Sequence, residues 1–324
     1  MNIRNRDEVF CMLKVGLVYH TDYLLHDTGG MHPEKGERLE SIVRHLRSTG
    51  LMNELFHIEP QSATIEMISA VHSVDYIYSV KDRIEKGETV LDQGDTHVGK
   101  DSWRIALLAA GGACSAVDAV MKGEADRVFC AVRPPGHHAC RSVAMGFCVF
   151  NNVAVATRHL QKEYGIERVA IIDWDVHHGN GTQEMFYGDP SVFYLSIHQF
   201  PHWPGTGASS EVGEGEGRGF NCNVPVPPGM GDEEYLILFR NAVERNMERF
   251  KPEFVFISAG FDAHINDPLS DLMLGENTYA EMTDIVCRCS DNYAAGRIVS
   301  LLEGGYELRA LANSVGVHIR HLMA

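Results

Sequence analysis

Six short runs of β-branched, aromatic and aliphatic residues punctuate the chain: VGLVYH (15–20), RVFCAV (127–132), RVAIIDWDV (168–176), VFYLSIH (192–198), FVFISAGF (254–261) and RIVSLLEGG (297–305). A strand that faces water on one side alternates apolar and polar residues, whereas these runs are apolar almost throughout and so must be buried on both faces. Between most of them lie segments with helical spacing, at 101–121, 146–160, 231–249 and 276–295. The first is apolar nearly all round, as a helix packed on both sides would be. GDEEY opens the third with acids at the end where the helix dipole favours them. Strands alternating with helices imply a mostly parallel central sheet flanked by helices on both faces. The expectation is a single α/β domain over 15–324 after an N-terminal extension, 1–14. No repeat or low-complexity linker interrupts it, and GASSEVGEGEGRG (207–219) reads as its most flexible loop.

In such sheets ligands bind outside the carboxyl ends of the strands. The polar clusters fall there: RPPGHHA, DWDVHHGN, SIHQ, AGFDAH and EGGYEL each follow or finish an apolar run. Burying an unpaired carboxylate or imidazolium costs several kcal/mol, and a divalent cation is the most economical shared partner for several of them. Strand alternation points Asp173, Asp175 and His177 one way, and Asp262 can join them from another strand end. Two carboxylates and one imidazole leave positions open for water and substrate, as a catalytic site requires. Taken alone, Asp-x-Asp-x-His also fits a salt-bridged strand end. His137 and His138 follow the turn Pro134-Pro135-Gly136; they fit packing residues, or a catalytic pair with Asp173 and Asn180 as acceptors of different charge. Unlike partners allow the two rings to hold different protonation states. Tyr306 follows Gly304 and Gly305, a turn able to aim the phenol at the rim, although a tyrosine capping the core reads equally well. Phe147, Phe200 and Trp203 pass for core aromatics.

The formal charge of −16 disfavours a nucleic-acid partner, which calls for a basic patch. A cationic substrate fits better. Eight cysteines form no C-x-x-C pair, and several lie inside apolar runs, so they read as small core residues in a reducing compartment. The first residues lack the apolar core of a signal peptide, and no uninterrupted apolar stretch spans a membrane. The expected location is cytoplasmic, with no membrane partner.

RPPGHHA, GFCVFNN, DWDVHHGNGTQ, PGTG, NVPVPPGMGDEEY, SAGFDAHINDPL and LEGGYEL occur together and in order. The chain thereby resembles the zinc-dependent histone deacetylase superfamily over roughly residues 15 to 322. That superfamily has an arginase-like α/β fold and includes deacetylase-like and acetylpolyamine amidohydrolases. GFCVFNN and HHGNGTQ are similar to class II members, with Asn180 where class I has a second aspartate. The resemblance implies that Asp175, His177 and Asp262 bind Zn²⁺, with Fe²⁺ a possible substitute. It pairs Asp173 with His137 and Asn180 with His138. It implies that His138 takes and returns the proton, that His137 positions water, and that Tyr306 donates to the oxyanion. Tyrosine there matters, because class IIa vertebrate members carry histidine and are poor deacetylases. Gly146, Phe147 and Trp203 are implied to line the substrate tunnel. A structural K⁺ site is implied at Asp173, Asp175, His177 and Ser196. Polyamine-specific members tend to carry glutamate where this chain has Leu269, which points to acyl-lysine in proteins or peptides, or a small acylamide, as substrate. The loop HDTGGMHPEKGER (26–38) is similar to the family's rim loop, and Asp95 is placed near substrate. A catalytically weak acyl-lysine binder is the remaining alternative, and no oligomeric state follows.

Overall fold

The computed structural model describes residues 13–324; the extension 1–14 and Cys11 lie outside this range apart from Leu13 and Lys14. Eight strands form one sheet: β1 (Val15–Val18), β2 (Phe56–Ile58), β3 (Arg127–Cys130), β4 (Val169–Asp173), β5 (Val192–Gln199), β6 (Asn221–Val226), β7 (Phe254–Ala259) and β8 (Ile298–Leu302). Their order is β2-β1-β3-β8-β7-β4-β5-β6, and every neighbouring pair is parallel. The six apolar runs supply β1, β3, β4, β5, β7 and β8. The two strands that the runs did not announce are the sheet edges. Phe56–Ile58 is short and half exposed, and Asn221–Val226 contains asparagines and Pro225, as tolerated where one side has no ladder to satisfy.

Nine α-helices cover the faces: α1 (Glu37–Ser48), α2 (Ile65–Ser69), α3 (Val74–Glu85), α4 (Ser102–Met121), α5 (Asn152–Tyr164), α6 (Asn180–Phe186), α7 (Asp232–Phe250), α8 (Glu276–Tyr293) and α9 (Leu308–Leu322), all among the described residues. One layer runs α1-α9-α8-α7 and the other α3-α4-α5-α6, each helix packing on the next. Helix α4 is long and apolar enough to cross a membrane by composition, but most of it is buried against β1, β3 and β8 and against α5. The expected helix 146–160 begins later. Residues 146–150 form a turn, with Phe147 at φ 69°, and α5 starts after Asn151, whose side chain accepts the Ala154 N–H at 3.0 Å.

The segment 207–219 is tied down rather than loose. The Glu211 carboxylate accepts the Gly207 and Ala208 N–H groups at 3.1 Å each, and Gly219 N–H reaches the Val212 carbonyl at 2.6 Å. Glycine supplies its positive-φ turns, and backbone hydrogen bonds remove the freedom that composition advertised. The seven cysteines of the described residues are free, five of them buried.

Candidate metal-dependent active site

The four central strands β3, β8, β7 and β4 lie side by side, and their carboxyl ends carry residues 133–138, 303–306, 260–262 and 173–178. The ladder of β4 stops at Asp173. The following residues turn back on themselves: Asp175 N–H donates to Asp173 Oδ1 at 3.2 Å and His177 N–H to Asp175 Oδ1 at 2.9 Å. Asp173 and Asp175 therefore serve different neighbours, contrary to the one-sided cluster that strand alternation predicted. Asp173 holds His137 (Nδ1 to Oδ2, 3.0 Å), whereas Asp175 and His177 group with Asp262.

One donor atom from each of Asp175, His177 and Asp262 falls within 4.8 Å of the others. His177 Nδ1 is 3.0 Å from Asp175 Oδ1 and 3.3 Å from Asp262 Oδ2. The outer oxygens are oriented by main chain: Gly304 N–H donates to Asp175 Oδ2 at 2.8 Å and Val176 N–H to Asp262 Oδ1 at 2.9 Å. Asp262 Oδ2 is buried and accepts no hydrogen bond. A Cβ at residue 304 would overlap both carboxylates, so Gly304 is required for close approach, while Gly305 (φ 119°) makes the turn. Burial and the neighbouring Asp175 charge push the Asp262 carboxyl up. Burial would lower His177, but its hydrogen bond to Asp175 and the nearby Asp262 carboxylate carry it to about 10. Two buried carboxylates competing for positive charge, one with an orphaned oxygen, make a donor set that fits a divalent cation.

The paired histidines differ as their partners do. Asp173 Oδ2 also accepts the Tyr194 hydroxyl at 2.9 Å. With three donors converging on it, Asp173 is best described as a carboxylate, although burial pushes its pKa upward. Burial would depress His137, but Asp173, Asp175 and Glu303 together raise it to about 10. His138 meets the Asn180 amide oxygen at 2.8 Å through Nδ1, while the Asn180 nitrogen faces Cys140 and Met145 sulfur. That arrangement assigns the His138 proton to Nδ1 and leaves Nε2 with its lone pair. Burial and the charges of His137 and His177 push His138 well below its ordinary value.

A pocket of about 260 Å³ opens over this floor, lined by Asp95, His138, Gly146, Phe147, His177, His202, Trp203, Leu269 and Tyr306. Phe147 holds the left-handed conformation beside Gly146, where a Cβ would strike the rings of His138 and Trp203. Such a conformation costs an aromatic residue roughly 1–3 kcal/mol and is retained where it places a wall. The Phe147 and Tyr306 rings meet edge to face at 5.9 Å. Asp267 fixes the tyrosine by accepting the Tyr306 and Glu307 N–H groups at 2.6 and 3.2 Å. Arg38 lies 5.0 Å from the Tyr306 ring centre and donates to the Gly305 and Glu303 carbonyls.

Ser196 pairs with Asp173 in the sheet, but its hydroxyl meets His198, which turns to the Gly207 carbonyl and away from the pocket. Phe200 does not line the pocket either. Sequence reasoning missed Glu34, Arg38, His202, Asp267 and Glu303. The last two lie inside recognised motifs, and Glu34 and Arg38 inside the rim loop; only Glu303, directly after β8, offered a signal, a charged residue beside a strand end.

A histone deacetylase domain profile matches residues 32–322. The chain belongs to the histone deacetylase family. It is 41% identical to a probable deacetylase of Archaeoglobus fulgidus over 90% of this chain and 81% of that one. It is also 41% identical to a histone deacetylase-like amidohydrolase of Pseudomonas aeruginosa, over 85% and 71%. The human polyamine deacetylase HDAC10 is 38% identical over 95% of this chain and 48% of its own length. Among solved structures, the HDA15 HD domain superposes with a TM-score of 0.90 at 35% identity, covering 96% of this chain and 88% of that one. The chain is accordingly a hydrolase of a metal-dependent family with amidohydrolase relatives, built on the histone deacetylase fold.

Proposed function

We propose that the protein is a zinc-dependent deacylase that removes acetyl or related acyl groups from the ε-amine of lysine in proteins or peptides. The observation that carries this reading is the floor of the pocket, where the Asp175-His177-Asp262 donors, two histidines of opposed proton affinity and Tyr306 surround a narrow apolar shaft. Asp175, His177 and Asp262 would hold Zn²⁺ or Fe²⁺, which when bound would supply Lewis acidity toward the acyl carbonyl and toward water. Neutral His138 accepts a proton from water at Nε2 as the oxygen bonds to the acyl carbon, and returns a proton to the amine as the C–N bond breaks. His137, charged beside Asp173, orients the water and stabilises the negative charge that develops. The Tyr306 hydroxyl donates to the oxyanion, a contribution of about 3–4 kcal/mol for a well-placed donor. Phe147 and Trp203 flank the methylene chain, with Gly146 leaving room between them. A structural K⁺ near Asp173, Asp175, His177 and Ser196, the domain boundary at residue 15 and a cytoplasmic location belong to the same proposal.

Leu269 in the pocket lining offers no carboxylate to a distal ammonium, which supports lysine over polyamine. The relative named a polyamine deacetylase and the charge of −16 favour the second reading, an acetylpolyamine substrate. Turnover of acetyl-lysine peptides, longer acyl-lysines and acetylated polyamines, with and without added Zn²⁺, separates them. Faster turnover of peptides supports the proposal, faster turnover of polyamines replaces it with the second reading, and no turnover of metal-replete protein leaves a binder of acyl-lysine.

A further inference from the structure

Glu303 is wholly buried where β8 ends, next to β3, whose end leads into the histidine turn. Its backbone is clamped on both sides: its N–H donates to the Ala259 carbonyl at 3.0 Å, and its carbonyl accepts Arg38. From this fixed point Oε2 accepts two consecutive amides, Gly136 N–H at 2.7 Å and His137 N–H at 3.2 Å. Oε1 is buried without a partner. A turn that leaves the sheet must find acceptors for its buried N–H groups, and one side chain meets two of them here. A neutral group with a single acceptor oxygen would serve that need, so a buried carboxylate with an orphaned oxygen is an expensive way to fill it. What singles the residue out is its location: the amides it holds are those of His137 and of Gly136 just before it, so they set the turn from which the His137 ring and the adjacent His138 ring project, and those rings lie against each other with centroids 3.8 Å apart and planes tilted by 44°.

We infer that Glu303 is a positioning residue for the histidine pair, its carboxylate oxygen fixing the Gly136–His137 backbone so that both rings keep their register over the floor. The inference rests on the deacylase reading for its catalytic consequence, and on geometry alone for its structural one. Glu303→Ala removes the acceptor, and Glu303→Gln keeps one acceptor oxygen while replacing the orphaned oxygen with an amide. The readouts are kcat and KM on an acetyl-lysine peptide, bound divalent metal per chain, and hydrogen exchange of the Gly136 and His137 amides with α7 amides as reference.

Expected for Glu303→Ala is a kcat loss on the order of 10- to 100-fold, as for a misplacement of catalytic groups. KM stays within about twofold and metal content is unchanged, while the two turn amides exchange at least about tenfold faster and α7 amides do not, a rate ratio that reports local opening. Glu303→Gln restores kcat to within about threefold of wild type, since the acceptor is retained. Loss of activity that follows loss of metal, unchanged exchange at residues 136 and 137, or a glutamine variant as impaired as alanine overturns the inference. Should Glu303→Ala fail to fold, Glu303→Asp, which withdraws the carboxylate by one methylene, is judged by the same kcat and exchange criteria. If wild type turns over no acylamide, the deacylase reading falls, and the exchange data alone decide whether Glu303 holds the turn.

Discussion

Replacing Glu34 by glutamine tests how the rim loop is bolted to the site. The Glu34, Arg38 and Arg133 side chains have no exposure to solvent. Arg133 grips both carboxylate oxygens, with Nη2 to Oε2 at 2.8 Å, and Arg38 reaches Oε1 at 3.2 Å. Burial alone would raise the Glu34 carboxyl, but Arg133, aided by His26 and Arg38, holds it at about 2 against an ordinary 4.5. At 1.36 kcal/mol per tenfold change in proton affinity, that difference corresponds to about 3 kcal/mol of stability. The sign follows from the depressed folded-state value: the contribution is full above pH 4.5 and is lost as pH falls toward 2. Glu34→Gln leaves two buried guanidiniums without their anion, so the expected cost at pH 7 is about 3–5 kcal/mol. His26, 3.7 Å away and pushed down to about 3 by burial and Arg133, is neutral in the folded state over most of this range. Its protonation in the unfolded chain weakens both proteins nearly alike, the glutamine variant slightly more at pH 3 because the Glu34 charge raises His26. Urea unfolding followed by tryptophan fluorescence and far-ultraviolet circular dichroism at pH 7 and pH 3 measures the gap, which should shrink by about 2 kcal/mol at the lower pH. A gap under about 1 kcal/mol at neutral pH, or one independent of pH, would refute the electrostatic account.

Three further outcomes are expected. Tyr306→Phe loses about 10²–10³ in kcat with about one tightly bound divalent ion per chain retained, by steady-state kinetics and metal analysis; unchanged turnover removes the oxyanion role. Asp262→Asn, or dialysis of wild type against a chelator, abolishes both bound metal and turnover, and activity in metal-free protein contradicts the site. His318 bridges the Thr283 and Ser300 hydroxyls and is pushed down to about 3 by burial. Neutral in the folded protein but protonated in the unfolded chain below about 6.5, it makes stability fall as pH drops from 6.5 toward 3; His318→Gln should flatten that slope in acid-unfolding curves, and an unaltered slope excludes it.

The local sequence determined the central strands, because residues buried on both faces must be apolar whatever packs on them, and it placed the chemistry at their carboxyl ends. It could not announce the edge strands, where half-exposed positions accept asparagine and proline. It misread 146–150 as helix because Gly146 and Phe147, both at positive φ, build a wall of the pocket where the His138 and Trp203 rings leave no room for a Cβ at residue 146. Asp175, His177 and Asp262 were legible as candidates through their residue types and strand-end positions. That Asp173 leaves this group to hold His137 was decided by the turn after β4, which alternation along a strand does not describe. Glu34, Arg38, Asp267 and Glu303 acquire meaning only from tertiary structure: a charge in a loop or a helix is ordinary until folding removes its water, and most of its partners are then residues that the sheet order brings within reach.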